Sequence, residues 1–188
     1  MGNEFENPDR YTSKSGKQVY DVIDTSVEDA YEPALIFYTG NVIKYAFRWW
    51  KKGGVHDIKK LQAYVNRVKD LFVPDYEEIP IDRWCEDYII NQFYDKDKPA
   101  TTHPADPSLT RHKHILVDYF VEDFCDIEAT DADTKHLREE TQLVMRYACY
   151  LAMTREKSWA RKYIDVLLNE TGTLVYLCGK TNVCEKEN

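Results

Sequence analysis

The sequence predicts an all-α, mostly helical fold, and three observations carry that expectation. No glycine occurs in the 117 residues from Val55 to Thr171, a stretch in which turn-rich sheet would need several. Apolar residues recur at three- and four-residue intervals, as in Ile58, Leu61, Tyr64, Val65, Val68, Leu71 and Phe72. Hydrophobic residues make up 43% of the 188, aromatics 13%, which is enough to bury a core and excludes a disordered segment.

In chain order, Ser26-Val27-Glu28-Asp29 reads as a capping box opening a short helix, which Pro33 restarts because proline suits a first helical turn. A long helix is expected from about Pro33 to Lys51, stopped by Gly53-Gly54. The 58–72 repeat then folds back on it as a helical hairpin. Pro74 and Pro80 bracket an acidic connection, after which Ile81, Trp84, Cys85, Tyr88 and Phe93 mark another amphipathic helix. Residues 94–108, with Pro99, Pro104 and Pro107, read as an exposed loop. Beyond it, one helix carries Ile115, Leu116, Tyr119, Phe120, Phe124 and Ile127. The next carries Leu137, Thr141, Val144, Met145, Ala148 and Ala152. A shorter helix fits Trp159 to Leu168, and Thr173 to Cys178 reads equally as a strand or a last helical turn. The expected organisation is a mobile arm over residues 1–17, a helical unit over 18–73 and a second helical unit over 74–188.

Acids outnumber bases by 33 to 25, for a net charge of −8. That argues against a protein that coats duplex DNA or an anionic membrane with its whole surface. No uninterrupted apolar run approaches the roughly 20 residues of a membrane span, and the N-terminus lacks a basic region followed by an apolar stretch. Glu6 stands where a myristoylation signal needs Ser or Thr, so no membrane association and a cytoplasmic location are expected. Five cysteines without a C-x-x-C pair read as reduced thiols, Cys85 and Cys149 in helix cores. Adjacent Trp49 and Trp50 point to different helix faces, which suggests one ring in a core, the other against a partner, and a homo-oligomer.

Charge is concentrated. Between Asn41 and Lys69 lie eight bases and one acid, Asp57, a local net of +7. In a continuous helix Asn41, Lys44, Tyr45, Arg48 and Lys52 fall at i, i+3, i+4, i+7 and i+11, an amide, an aromatic ring and three cations in one stripe. Such a stripe suits a phosphorylated ligand, with cations for phosphate oxygens and tyrosine for a base. The alternative is a solvated basic face neutralised by acids of the second half.

Five segments in order resemble the SaV-like family of phage proteins: Asn7-Pro8-Asp9-Arg10-Tyr11; Val19-Tyr20-Asp21-Val22-Ile23-Asp24; Gly40-Asn41-Val42-Ile43-Lys44-Tyr45-Ala46-Phe47-Arg48; Lys52-Gly53-Gly54-Val55-His56-Asp57-Ile58-Lys59-Lys60; and Tyr64 with Arg67. The resemblance covers residues 7–72 and ends near Val73. That family includes a phage kinase acting on deoxynucleoside monophosphates. The resemblance therefore implies a nucleotide-binding unit over 18–73 and a kinase without a P-loop, using a nucleoside triphosphate as phosphate donor. Whether Mg2+ is required is left open. It implies Lys44 and Arg48 as catalytic phosphate clamps, with Arg10, Tyr11, Asn41, Tyr45, Lys52, Asp57 and Lys60 binding the ligand. The family's histidine is Arg10 here, which keeps phosphate binding but not proton transfer. The rival expectation is a non-catalytic module that sequesters nucleotides or binds a host protein or nucleic acid.

Asp57 follows the glycine turn, so capping of the second hairpin helix is its first reading; pairing with Lys60, Mg2+ binding or orienting an acceptor are the functional ones. Gly172 and Gly179-Lys180-Thr181 only imitate a P-loop, because six residues separate the glycines and no helix-length segment follows. Asp118, Glu122 and Asp126 fall at i, i+4 and i+8, a pattern that suits Mg2+ but reads first as a solvated face. His112 and His114, two apart near a helix start, point away from each other, and no metal site is expected.

Overall fold

A computed structural model of the chain describes residues 9–28, 33–72, 106 and 108–181. Six α-helices are present among them and no strand, so the fold is all-α. They are α1 (Val19–Val27), α2 (Pro33–Ala46), α3 (Gly54–Phe72), α4 (Arg111–Phe124), α5 (Ala132–Met153) and α6 (Lys157–Cys178), with single 3-10 turns at Asp9–Tyr11 and Trp49–Lys51. The helix expected around Ile81–Phe93 and almost all of the 94–108 loop lie outside the described residues.

Helix α1 begins earlier than the capping-box reading placed it. The Gln18 backbone N–H donates to the Asp21 carboxylate at 2.8 Å, and Val19, Val22 and Ser26 form the buried face. Ser26 therefore closes this helix instead of opening another, because the apolar spacing that fixes the face starts at Val19. Helix α2 stops at Ala46, five residues short of expectation. Arg48 leaves helical geometry at φ −138° and ψ −9°, and both following tryptophans are buried. The indoles therefore do not divide between core and partner. Gly54, at φ +47°, supplies the left-handed conformation that starts α3.

Helix α5 opens on a reciprocal cap between Asp131 and Thr134, and α4 on the Thr110 hydroxyl accepting from the Lys113 N–H at 3.3 Å. Ile127 falls beyond the end of α4 but is still buried. Helix α6 is continuous, so Trp159–Leu168 and Thr173–Cys178 are parts of one helix. Gly172 is tolerated mid-helix because it lies exposed, while the buried Thr171 hydroxyl donates to the Leu167 carbonyl at 2.7 Å.

Helices α2 and α3 pack together as the expected hairpin, α5 packs against α1, α2, α4 and α6, and α3 packs against α6. One hydrophobic cluster thus draws on helices from both sides of the 73–105 segment, with Ile43, Phe47, Ile58, Leu61, Leu137, Met145 and Ile164 fully buried. Each such side chain stabilises the fold by about 1.5–3 kcal/mol relative to exposure. Residues 12–18 are docked on the C-terminal end of α4. Lys14 Nζ donates to the Glu122 and Cys125 carbonyls, both at 3.0 Å, and the Ser15 N–H donates to Asp123 at 2.9 Å. Among the described cysteines, Cys125 and Cys149 are free and buried, as expected of reduced thiols. Cys178 is instead disulfide-bonded, a correction that spacing could not reveal because it does not show which thiols approach in space. No helix among the described residues is long and apolar enough to cross a membrane.

Candidate functional site

The turn that ends α2 carries Arg48 into the protein, where only 6% of it remains exposed. Nine residues on, in the first turn of α3, Asp57 is 1% exposed. The guanidinium Nε donates to one carboxylate oxygen at 2.9 Å and Nη2 to the other at 3.3 Å, a two-pronged pair that neutralises both buried charges. One turn further along α3, Lys60 Nζ donates to the same carboxylate at 3.3 Å from the protein surface. Asp57 is thus an ion-pair anchor and not the capping residue its position suggested.

Two phenols frame this pair. Tyr11, held by the N-terminal 3-10 turn, accepts a hydrogen bond from Arg48 Nη1. Burial pushes its hydroxyl pKa up, but the hydrogen bond with Arg10 and the charges of Arg48, Lys44 and Arg10 outweigh that, and the net shift is downward. The buried ring of Tyr45, on α2, has Arg48 Cζ 4.8 Å from its centroid and the Lys44 and Lys60 ammonium groups each at 5.6 Å. Arg10 lies over the Tyr11 ring at 5.2 Å, and its buried Nε–H has no acceptor among the described residues. Among the described residues, four cations lie around the Tyr11 and Tyr45 rings with one carboxylate, Asp57, which pairs with Arg48 and Lys60; that is an excess of three positive charges in a protein of net −8.

The fold thus brings together Arg10, Tyr11, Lys44, Tyr45, Arg48, Asp57 and Lys60. Two expected members are not gathered in. The Asn41 amide donates to the Phe37 carbonyl of its own helix at 2.8 Å, and Lys52 stands exposed in the connection after α2 has ended. Arg48 and Lys52 do not extend a stripe on α2, because that helix stops before either. Tyr45 does not offer an open face for a base either. Tyr64 of α3 stacks on it at 5.6 Å and 20°, and Tyr38 and Phe37 follow at 6.1 and 6.2 Å from Tyr64.

Those three rings were not read as site residues in the sequence. The available signal was the spacing of Phe37, Asn41 and Lys44 on α2 against Lys60, Tyr64 and Arg67 on α3, each set at i, i+4 and i+7. The acidic residues Asp118 and Asp126, the second of which lies past the end of α4, are engaged elsewhere. Asp118 pairs with Arg146 at 2.9 Å, and Asp126 accepts from Trp50 Nε1 at 2.6 Å and pairs with Lys51 at 3.1 Å. His114 is buried against Tyr150, whereas His112 is exposed. Among the described residues no three His, Cys, Asp or Glu side chains converge as metal ligands.

Residues 5–66 match a family model described as a protein of unknown function, DUF3310. Every residue of the cluster lies within that stretch, which stops inside α3. No curated protein and no solved structure matches the chain.

Proposed function

We propose that the chain binds a deoxynucleoside phosphate at the Tyr11–Tyr45 cluster and transfers a phosphoryl group to a deoxynucleoside monophosphate from a nucleoside triphosphate. The observation that carries the reading is the excess of three positive charges there among the described residues, with the buried Arg10 Nε–H lacking an acceptor among them. A phosphate oxygen supplies that acceptor, and Lys44 and Lys60, each 5.6 Å from the Tyr45 ring centroid, add positive charge to the same cluster. Arg48, tied to Asp57, holds Tyr11 and Tyr45 in place, so it is a positioning residue and Lys44 carries the charge stabilisation. Phosphoryl transfer asks little of a protein beyond such positioning and charge. Both Asp57 oxygens are engaged by cations, so a Mg2+ accompanying the donor would be held by phosphate oxygens and water.

The mutual saturation of Arg48 and Asp57 also favours a second reading, a module that sequesters nucleotides without turnover. Duplex DNA is a poor partner for an acidic chain. We place the protein in the cytoplasm, where free nucleotides are found, and as a homo-oligomer, for which Ile115 and Tyr119, exposed one turn apart on α4, offer an apolar face.

A radiolabelled phosphate assay with the four deoxynucleoside monophosphates tests the kinase reading. Transfer is expected in the wild type and should fall about a hundredfold in Lys44→Ala, roughly 3 kcal/mol of transition-state stabilisation. Nucleotide binding with no transfer in any combination selects the sequestering module.

A further inference from the structure

Beside the cationic cluster, the hairpin presents more aromatic surface than one nucleotide uses. Tyr64 is backed by the buried Tyr45, and Phe37 and Tyr38 of α2 meet Tyr64 edge-on at 70° and tilted at 44°; Phe37 is 58% exposed, while Tyr38 and Tyr64 are half-buried. Cations alternate with these rings. Lys44 stands two turns after Phe37 on α2, and Lys60 and Arg67 flank Tyr64 on α3.

Among the described residues of the two hairpin helices, acids are nearly absent. Helix α2 has none from Pro33 to Ala46, and α3 has only the buried Asp57 and Asp70 near its far end. A second copy of the chain seated here would bring Lys44, Lys60 and Arg67 against their own images, which is repulsive. An acidic, unstacked polymer with its own rings is the complementary occupant.

We propose that Phe37, Tyr38 and Tyr64 form a stacking platform for successive bases of single-stranded DNA, whose phosphates run along Lys44, Lys60 and Arg67. The choice of DNA rests on reading the adjoining cluster as a deoxynucleotide site. The platform itself rests on ring spacing, exposure and charge. Duplex is disfavoured because its bases are already stacked and paired.

Fluorescence anisotropy with labelled (dT)10, competed by unlabelled dTMP and by a ten-base-pair duplex, tests this on the full chain. The platform predicts (dT)10 binding at least about tenfold tighter than dTMP, since each further stacked base contributes a factor of about five or more and several stack. It also predicts steep weakening with salt. Phe37→Ala, at an exposed position, should weaken (dT)10 about tenfold, and Tyr64→Phe should restore most of what Tyr64→Leu loses. Tyr176→Ala, at an exposed ring on α6, serves as the control and should leave (dT)10 binding unchanged.

Equal affinity for (dT)10 and dTMP overturns the platform and leaves the mononucleotide site standing. Ring-dependent binding of (dT)10 with none of dTMP supports the platform and removes the mononucleotide reading. Duplex binding as tight as (dT)10, or self-association abolished by Phe37→Ala without binding of DNA, overturns the proposal.

Discussion

A Cβ placed on Gly53 would overlap the carboxylate carbon and both oxygens of Asp57, so the residue before α3 has to be glycine for the Arg48–Asp57 pair to form. The carboxylate cannot swing aside, because Arg48 holds both oxygens and Lys60 one of them. Gly53→Ala is therefore expected to cost about 1–3 kcal/mol, the usual range for overpacking a well-filled interior. Gly172→Ala is the matched contrast. A Cβ there meets nothing within 4 Å, and alanine is better than glycine inside a helix by about 0.5–1 kcal/mol. Thermal melts should move in opposite directions; a Gly53→Ala melt at the wild-type temperature would mean that the carboxylate is not held.

The buried pair itself yields to a double-mutant cycle. Arg48→Met leaves Asp57 buried with only the half-exposed Lys60, and Asp57→Leu strands the guanidinium. Each should cost several kcal/mol, about 3–5 in comparable cases. The combined Arg48→Met/Asp57→Leu variant should cost much less than the sum, since no charge remains buried without a partner. Urea titrations of the four proteins measure the coupling, and simple additivity would refute it. Loss of activity in Arg48→Ala alone would thus report lost architecture as well as lost charge.

A second buried carboxyl sets a pH dependence away from the site. Burial, followed by the hydrogen bond with Glu170 and the charges of Glu170 and Glu139, pushes Glu140 up to about 8. Its value in the unfolded chain is near the ordinary 4.5. The folded state thus binds the proton more tightly. The group's contribution to stability is fully present below pH 4.5 and is lost as pH rises through about 8. Glu140→Gln should flatten the fall in urea midpoint between pH 5 and pH 8.5 and leave the variant more stable than wild type at the upper end. An unchanged slope would assign the pH dependence to other groups.

Asp126 ties the α2–α3 connection to the segment after α4, accepting from Trp50 and pairing with Lys51. Asp126→Ala leaves the Trp50 N–H without its acceptor, at a cost of about 1–3 kcal/mol. The same change should shift the tryptophan emission, whereas Glu122→Ala, on the exposed side of α4, should do neither.

The helices were legible in the sequence wherever apolar residues kept a 3.6-residue period, as in α3 and α5. Their ends were less so. Nothing local to Arg48 announces that α2 stops two residues before it; the cause is a carboxylate nine positions on, and the rotation that reaches it buries Trp49 and Trp50 together. The cluster was readable because Lys44, Tyr45, Asp57 and Lys60 lie close in sequence. The division of labour within it was not. Burial turns Arg48 from a clamp into a support and hides Tyr45 under Tyr64, while Phe37 is left exposed.

Titration calorimetry of dTMP and its three deoxynucleoside monophosphate counterparts into the wild type and Lys44→Ala tests most directly whether the charge surplus around Tyr11 and Tyr45 holds a phosphate. At least one nucleotide should bind the wild type, and Lys44→Ala should bind it about tenfold more weakly, a loss of about 1.4 kcal/mol, with an unchanged melting temperature. Equal affinity in the two proteins, or no heat from any of the four nucleotides, would contradict it.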